Sequence, residues 1–502
     1  MGNISNENGK ANGYGSPNPI RQRLNGTSQT QTPASGQFFK ETRVTFAAPD
    51  NVKLQGVPLH ITRHGAVFEL VDASFIPRCS ETLVDFEIIS QSRAIYSGRA
   101  VVRNVLNAGK KTVCEVTLAE DFWKEANITA EKIRSGMFRK DISDFTQDWL
   151  KDYKIPAEYK IVVADMQISL TKLRDWLNQI ELEMPSAQKD ALPQLEQELL
   201  AELAKSILPY LDGLFKKSED IAKDVDSNLR PVIQSYMRRQ LQPLVINAPF
   251  AHRSFHKPLG HAGDYEMMNM IHRNRPEGRS LYDKLIHLLL VSQWPAISVR
   301  NRVAHLGENI SNETARVART GKKIRILNIG CGPAWEVQDF IRKNPLSDEA
   351  EFTLIDFNAE TLAHAGQKAN EAKRQFSRRT KVSTQKISVY ELLRRTQKSA
   401  DEDKKYDFIY CAGLFDYLAP DTCRAVISFG YDSLLPGGML LIANMNDSKP
   451  FRNFIEATME WNLIYRDSRE IFSLVPDVCR DVTRVVLESA AVNLFLHTRK
   501  PN

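Results

Sequence analysis

The C-terminal third of the chain alternates short apolar runs with stretches of helical period. Residues 324–336 (IRILNIGCGPAWE) pass from an apolar run through Gly330 and Gly332 to a helix start, and the next apolar run (FTLID) ends on Asp356. This pattern is typical of a doubly wound, Rossmann-like α/β fold. Because the last segment contains two runs joined by a short turn, we expect a seven-stranded sheet closed by an antiparallel hairpin. The further strand segments are residues 381–389, 406–413, 434–444 and 483–499.

Three other patterns precede this fold. Residues 1–38 are polar and nearly free of aliphatic side chains, which predicts a disordered tail. Residues 39–125 contain short β-type runs between turn residues and predict a small antiparallel β-barrel. Residues 126–250 place Leu, Ile, Phe and Trp three and four apart, which predicts amphipathic helices. We expect residues 251–320 to form an active-site cap and linker before the α/β domain at residues 321–502.

The glycine pair and Asp356 together indicate a site for a nucleoside-containing cofactor. Glycine lets a turn approach a ligand that a Cβ would block, and the following helix points its N-terminal N–H groups at the same place. Asp356, at a strand end, can accept hydrogen bonds from both ribose hydroxyls. The third glycine of the dinucleotide motif GxGxxG would fall on Trp335, so the pattern departs from that of NAD enzymes.

The stretch NIGCGPA resembles motif I of class I S-adenosylmethionine-dependent methyltransferases. Asn328 stands where that family commonly has an acid, and Ala334 where it commonly has a third glycine. The later strands and the Pro-Gly-Gly turn are similar to the same family. The resemblance implies S-adenosylmethionine as the cofactor. The cofactor-binding residues that it implies are Asn328, Gly330, Gly332, Asp356, Phe357, Ser388, Val389, Cys411 and Gly413.

One segment of the predicted barrel, VDASFIPRCSETLVDFEI, resembles the PilZ family, whose members often bind cyclic di-GMP. Asp72 and Ser74 match the DxSxxG motif of that family, but Pro77 replaces its glycine and no RxxxR pair precedes the barrel. Arginine forks supply the bidentate guanine and phosphate contacts in such a site. We therefore expect an interaction or scaffold role for the barrel and no binding of cyclic di-GMP.

A second glycine-rich segment, HKPLGHAGDYEMMN, lies before the α/β domain. Its glycines, proline and clustered polar side chains indicate a structured functional loop, although an ordinary connection with solvated histidines is the alternative. Together with RNRV at residues 300–303, the segment resembles a bacterial methyltransferase family that makes 3-hydroxypalmitic acid methyl ester, an extracellular quorum-sensing signal. That resemblance covers the chain from the helical region to the C-terminus. It implies methylation of the carboxylate of a hydroxylated fatty acid.

Two groups of residues are candidates for contacting such a substrate. The candidates for orienting the carboxylate are His256, Lys257, His261, Asp264 and Tyr265. Phe415, Asp416 and Tyr417 follow the fourth predicted strand, where methyltransferases commonly contact substrate; for the two aromatic residues, packing at a helix start is an equal alternative.

Composition narrows the class of protein. The chain has 502 residues, of which 42% are hydrophobic and 25% charged, as in globular proteins. The net charge of +6 is mild and no basic stripe with interleaved aromatic residues is present, so we do not expect nucleic acid as a partner. The six cysteines lack ligand spacing, which argues against metal binding and disulfides and favours a cytoplasmic location. The apolar run at residues 285–291 is too short to span a bilayer.

A carboxylate acceptor is ionised at neutral pH, so the protein must align and partly dehydrate it but need not supply a general base. A nitrogen or hydroxyl acceptor would require a base, and a methyltransferase for such a small molecule is one alternative. Another alternative is a regulatory protein whose PilZ-like barrel senses a cyclic dinucleotide or a partner while the C-terminal domain binds the cofactor without catalysis. The departures of Asn328 and Ala334 from the motif keep this alternative open. A homodimer could form through the helical region.

Overall fold

A computed structural model contains the three predicted parts in chain order: a barrel, a set of helices and a mixed sheet. It describes residues 42–502 except residues 48–52, 72–74, 91–92, 109–110, 120–121, 125–142, 144–145, 147–149, 151–153, 185–191, 399–404 and 447–450. The tail predicted at residues 1–38 lies outside the described residues, as do Asp72 and Ser74 of the PilZ-like motif.

The barrel is built from six strands, as the alternating runs predict. They are β1 (Thr42–Ala47), β2 (Lys53–Thr62), β3 (Gly65–Leu70), β4 (Thr82–Ser90), β5 (Arg93–Ala108) and β6 (Lys111–Leu118). All neighbours are antiparallel, and the order β1-β2-β3-β6-β5-β4 closes on itself. Phe46, Phe68 and Phe86 are fully buried at its centre. Closure removes the exposed strand edges that an open sheet would present.

Seven described helices connect the barrel to the sheet. They are α1 (Ala157–Glu183), α2 (Leu192–Lys223), α3 (Arg230–Val245), α4 (Pro249–His256), α5 (Tyr265–Arg273), α6 (Leu281–Val291) and α7 (Trp294–Ala318). Helix α1 buries Val162, Met166, Leu170 and Leu177 along one face, as the spacing of three and four predicts. None of the helices in the described ranges is long and apolar enough to cross a membrane.

The C-terminal sheet has seven strands, as expected. They are β7 (Ile324–Ile329), β8 (Ala350–Asp356), β9 (Lys381–Lys386), β10 (Tyr406–Cys411), β11 (Leu434–Met445), β12 (Thr483–Leu487) and β13 (Asn493–Arg499). Their order is β12-β13-β11-β10-β7-β8-β9, and only the pairs that include β13 are antiparallel. The chain moves outward from β7 to β9 and then returns to β10 on the other side of β7. This reversal creates a crevice at the carboxyl ends of β7 and β10, where open α/β sheets bind ligands.

Shorter helices lie between the strands of this sheet in the chain. They are α8 (Trp335–Lys343), α9 (Ala359–Gln375), α10 (Val389–Lys398), α11 (Pro420–Asp432), α12 (Arg452–Met459), α13 (Ser468–Phe472) and α14 (Asp477–Arg480). Helix α12 packs away from the sheet, in the same hydrophobic core as helices α1–α7. The C-terminal domain therefore shares one core with the helical region.

The structure differs from the predicted boundaries at two points. The third strand ends at Lys386, because Ser388 caps a helix that Val389 begins. The Pro-Gly-Gly sequence lies inside β11 rather than before it: Tyr406 pairs with Leu434 but Phe408 pairs with Met439, so the extra residues form a bulge. Gly437 takes a φ of +73° at this bulge, a conformation that glycine adopts without strain.

Candidate active site

A large cavity opens at the carboxyl ends of β7, β8 and β10. The space that it encloses, including the open space at its mouth, is about 1520 Å³. The sheet contributes the glycine turn after β7, Asp356 and Gly413. Helices α4–α7 and residues around α12 supply the opposite, mainly apolar wall, and the barrel loop between β3 and β4 reaches its edge. The cavity therefore joins the glycine turn of the sheet to a mainly apolar helical wall.

The turn after β7 is held open by backbone contacts. Gly330 and Gly332 have φ angles of +70° and +53°, and the N–H groups of Gly330 and Cys331 donate to the Ile355 carbonyl at 2.9 and 3.0 Å. A Cβ built on Gly332 would meet no atom within 4 Å, so the glycine faces open space. Helix α8 begins at Trp335, directly after Ala334, which takes the left-handed conformation. The turn thus forms an open backbone cradle at a helix N-terminus, as a cofactor site requires.

Asp356 completes this cradle. Its Oδ2 accepts the Gly332 N–H at 3.2 Å and its Oδ1 accepts the Asn358 N–H at 3.0 Å. Burial raises the pKa of Asp356 above its ordinary value, and the two backbone donors oppose that rise. A carboxylate can accept about four hydrogen bonds, so capacity is left for two ribose hydroxyls. The residues present therefore fit a nucleoside cofactor.

A buried carboxyl group compensates for Asn328. The Asn328 Nδ2 donates to Glu336 Oε1 at 3.0 Å, and the Tyr410 hydroxyl donates to the same oxygen at 2.8 Å. Burial raises the pKa of Glu336. Helix α8 thus places a carboxyl group against the Asn328 side chain, eight residues later in the chain. The sequence contained this signal, since Glu336 is the last residue of the IRILNIGCGPAWE stretch.

Arg302 contributes a buried cation to the inner cavity wall, and sequence reasoning missed it. It lies on α7, is 9% exposed, and its Nη2 is 3.4 Å from a Cβ built on Gly413. Its Nη1 lies 3.9 Å from Asp416 Oδ2, which is too long for a hydrogen bond. Asp416 Oδ1 is occupied by the Asn444 side chain and the Met445 N–H. Arg302 therefore forms a loose ion pair with the buried Asp416 at the cavity wall.

Of the five residues predicted to orient a substrate, His261 and Tyr265 line the cavity. The His261 Nδ1 is buried without a hydrogen-bond partner among the described residues, and burial lowers the pKa of His261 to about 3, so the ring is neutral. The Tyr265 hydroxyl donates to Glu360 at 2.8 Å, and burial raises its pKa to about 12. A buried polar atom without a partner is costly, so Nδ1 is suited to contact a ligand.

The other three lie outside the cavity lining. Lys257 is completely buried, with its Nζ 3.8 Å from Glu460, and burial lowers its pKa to about 7. Asp264 caps helix α5 and pairs with Arg253 at 2.8 Å. His256 is exposed at the end of α4, and its ring lies at a tilt against that of His252, with the ring centroids 4.2 Å apart. The contacts of these three residues stabilise the loop that carries His261, and they are not part of a ligand site.

The other residues predicted to bind cofactor or substrate also divide into those that line the cavity and those that do not. Asn328, Gly330, Gly332, Asp356, Phe357, Gly413, Asp416 and Tyr417 line the cavity. Cys411 and Phe415 are fully buried in the core on one side of the sheet, and Val389 packs there too. Ser388 accepts the Glu391 N–H at 3.2 Å as a helix cap. For Phe415, the packing alternative therefore describes its position.

Contact with Tyr417 explains why the HAGDY sequence has a glycine at position 263. The Tyr417 hydroxyl accepts a hydrogen bond from Trp461 Nε1 at 2.9 Å. A Cβ on Gly263 would collide with that hydroxyl and approach the Trp461 ring to 3.3 Å. Glycine at this position lets the loop carrying His261 lie directly on the Tyr417–Trp461 pair.

Among the described residues, no group of three or more His, Cys, Asp and Glu side chains could hold a metal ion.

Comparison with known proteins agrees with this site. Residues 327–440 match the family model described as a methyltransferase domain. This part runs from the end of β7 into β11 and contains the glycine turn, Asp356 and Gly413. The chain therefore carries a methyltransferase domain, and S-adenosylmethionine is its cofactor. No protein of curated function matches the chain.

Several solved structures are similar to the chain. The N-methyltransferase NodS from Bradyrhizobium japonicum WM9, in complex with S-adenosyl-L-homocysteine, is 18% identical with a TM-score of 0.28, over 41% of this chain and 88% of that one. The magnesium protoporphyrin IX methyltransferase ChlM from Synechocystis PCC 6803, with the same ligand, is 11% identical with a TM-score of 0.31, over 47% and 95%. The methyltransferase SibL in its apo form is 17% identical with a TM-score of 0.33, over 63% and 99%. At these scores, the likenesses carry no argument about the substrate.

Proposed function

We propose that the protein transfers a methyl group from S-adenosylmethionine to the carboxylate of a 3-hydroxy fatty acid and releases the methyl ester. One observation carries this proposal: beside the cofactor cradle, the cavity combines an apolar wall with the buried arginine fork of Arg302. The hydroxy acid itself is the acceptor implied by the resemblance of the HKPLGHAGDYEMMN segment.

The apolar wall suits an acyl chain. It is formed by side chains from α4, α6, α7, α12 and the segment after α12: Phe250, Leu290, Val299, Phe451, Ile455 and Leu463. Burying a methylene group of a ligand contributes about 0.8 kcal/mol, so a wall of this kind favours long chains over short ones.

The polar groups of the cavity suit an acceptor that needs no base. Burial lowers the pKa of His261 to about 3 and that of His272 to about 4, so both rings are neutral and weakly basic. Burial raises the pKa of Tyr265 and Tyr417, so both hydroxyls stay protonated at neutral pH and act as donors. When bound, S-adenosylmethionine supplies an electrophilic methyl group; a carboxylate oxygen forms the new bond, the C–S electron pair goes to sulfur, and no proton moves.

The task of the chain is then to hold the carboxylate in place. Arg302 can receive it through the guanidinium fork, and the unpartnered His261 Nδ1 can contact a second polar group of the ligands. Helices α4–α7 line this part of the cavity mainly with apolar side chains, and a low local dielectric strengthens the contact between guanidinium and carboxylate.

Asp416 favours a second candidate function, methylation of a hydroxyl or nitrogen. Burial raises its pKa, and its Oδ2 faces the cavity-lining Arg302, so it is the candidate base for such an acceptor. The pH profile separates the two functions. Carboxylate methylation should be independent of pH above about 6, whereas base-assisted methylation should rise with the ionisation of its base.

The test uses purified protein, methyl-labelled S-adenosylmethionine and 3-hydroxy acids of increasing length, with product identification by mass spectrometry. The matched control substrate is the primary alcohol of the same chain length, which lacks the carboxylate. We expect methyl esters of long-chain acids and no product from the alcohol. Methylation of the alcohol, or of the 3-hydroxyl group of the acid, would refute the proposal.

The variant Arg302→Met keeps the bulk of the side chain and removes its charge. Loss of one charge-assisted contact of about 1.5–3 kcal/mol should lower kcat/KM for the acid by about 10- to 100-fold. Affinity for S-adenosylhomocysteine should stay near that of the wild type. Arg319→Ala, an exposed arginine just after α7, is the control. A loss of cofactor affinity in Arg302→Met would instead assign Arg302 to the carboxylate of the cofactor.

A further inference from the structure

The barrel contributes two side chains to the wall of the cofactor cavity. Arg78 and Cys79, in the loop between β3 and β4, line the cavity. The Arg78 guanidinium lies over the Phe357 ring, with its Cζ 3.9 Å from the ring centroid. Phe357 directly follows Asp356, so this pair lies beside the nucleoside end of the cavity.

The conformation of Arg78 is set within the barrel loop. Its backbone N–H donates to Glu81 Oε2 at 2.7 Å, and its Nε lies 3.7 Å from the same oxygen. Glu81 is buried, and the side chain of Arg78 is 17% exposed. The guanidinium is thus held in place before any ligand binds, which lowers the entropy cost of a contact with one.

The same loop is fastened to the segments that form the cavity. The Ser80 hydroxyl donates to the Asn462 carbonyl at 2.7 Å and accepts the Asn462 N–H at 2.5 Å, next to the cavity-lining Trp461. The Thr82 N–H donates to the Gly260 carbonyl at 2.9 Å, next to His261. Barrel and cavity wall therefore share hydrogen bonds two and four residues after Arg78.

A buried charge cluster fixes the barrel at a second place. Arg99 of β5 pairs with Glu460 at 3.1 Å and donates to the Phe255 carbonyl at 3.2 Å. Arg238 and Lys257 approach the same carboxylate at 2.9 and 3.8 Å. Glu460 directly precedes Trp461, so this contact also ends at the cavity wall.

We propose that the barrel is part of the cofactor site, with Arg78 as a binding residue for the nucleoside of S-adenosylmethionine. A planar guanidinium on an aromatic face can extend the stacked wall against which a base packs. Binding of the nucleoside and docking of the barrel loop are then coupled, and by thermodynamic linkage each strengthens the other. The proposal rests on the cofactor assignment and is independent of the acceptor.

The first test measures binding of S-adenosylhomocysteine by calorimetry, which requires no acceptor. Arg78→Ala should weaken binding by about 3- to 30-fold, the range of a cation–aromatic contact. Arg78→Lys should also weaken it, because lysine keeps the charge but lacks the planar fork. Arg43→Ala, an exposed arginine on β1, is the matched control. Affinities within twofold of the wild type for both Arg78 variants would overturn the proposal.

The second test uses the wild-type protein, so it stands even if an Arg78 variant does not fold. Hydrogen exchange is followed at the Thr82 and Asn462 amides, which donate across the contact between the barrel and the cavity wall. We expect S-adenosylhomocysteine to slow exchange at both. Protection confined to the glycine turn and the Asn358 amide would show that the barrel is not coupled to the cofactor. Failure of the fatty acid proposal would leave both results unchanged.

Discussion

Replacing Asp356 with alanine is the most direct perturbation of the cofactor site. The carboxylate has two roles in the structure, because it accepts the Gly332 and Asn358 N–H groups and keeps capacity for the ribose. The substitution should therefore weaken the cofactor complex and loosen the glycine turn.

The expected magnitude follows from the two ribose hydroxyls that the carboxylate can bind. A hydrogen bond to a charged group contributes about 1.5–3 kcal/mol. Taking the lower value for each hydroxyl, the loss is about 3 kcal/mol, or a roughly 100-fold weaker complex. The lost support of the glycine turn can only add to this effect.

The assay is calorimetric titration with S-adenosylhomocysteine, alongside urea unfolding to follow stability. Asp407→Ala is the matched control: the Asp407 Oδ2 accepts the Arg325 N–H at 2.9 Å at the opposite end of the sheet, away from the cavity. Asp407→Ala should lower stability and leave affinity unchanged. If Asp356→Ala bound the ligand within threefold of the wild type, the assignment of Asp356 to the ribose would be wrong.

Two further outcomes test the buried polar groups. Asn328→Asp would place a second carboxyl group beside Glu336 and should lower the free energy of unfolding, measured in urea, by about 2–4 kcal/mol. The double variant that also carries Glu336→Gln should regain most of this stability. Equal losses of stability in the single and double variants would contradict the Asn328–Glu336 contact. Lys257 has a folded-state pKa of about 7 against an ordinary 10.5, so the folded state binds fewer protons between these values and stability should rise with pH across that window. Lys257→Met should remove this rise and leave turnover unchanged, while a large loss of turnover would return Lys257 to the active site.

The fold could largely be predicted from the sequence because its determinants are local. Alternation of period two specified the barrel strands, spacing of three and four specified α1, and the glycine pair after β7 specified the cofactor turn. The boundary errors at Ser388 and at the Pro-Gly-Gly bulge also have local causes. A helix cap and a strand bulge use the same residue types as a turn, so only pairing partners distinguish them.

The candidate site was only partly predictable because its wall is assembled from distant segments. His261 and Lys257 are four residues apart in one polar segment, yet one faces the cavity and the other is buried against Glu460. No local pattern separates them, since the loop turns at Gly260 and Gly263 decide which side chain faces inward. Arg302 was overlooked for a similar reason, because one arginine in a charged helix has no local signal of burial.

By itself, the sequence determined two features of the cofactor site: a glycine turn after one strand and an acid at the end of the next. Together they indicate a cofactor with a ribose. These residues interact within one βαβ unit, so their spacing suffices to bring them together. Only the tertiary structure decided what surrounds that cofactor. It placed Glu336 beside Asn328, Arg302 beside Gly413, and Arg78 of the barrel on Phe357. The last two contacts join segments far apart in the chain, and their formation depends on the packing of whole domains, which no local pattern records.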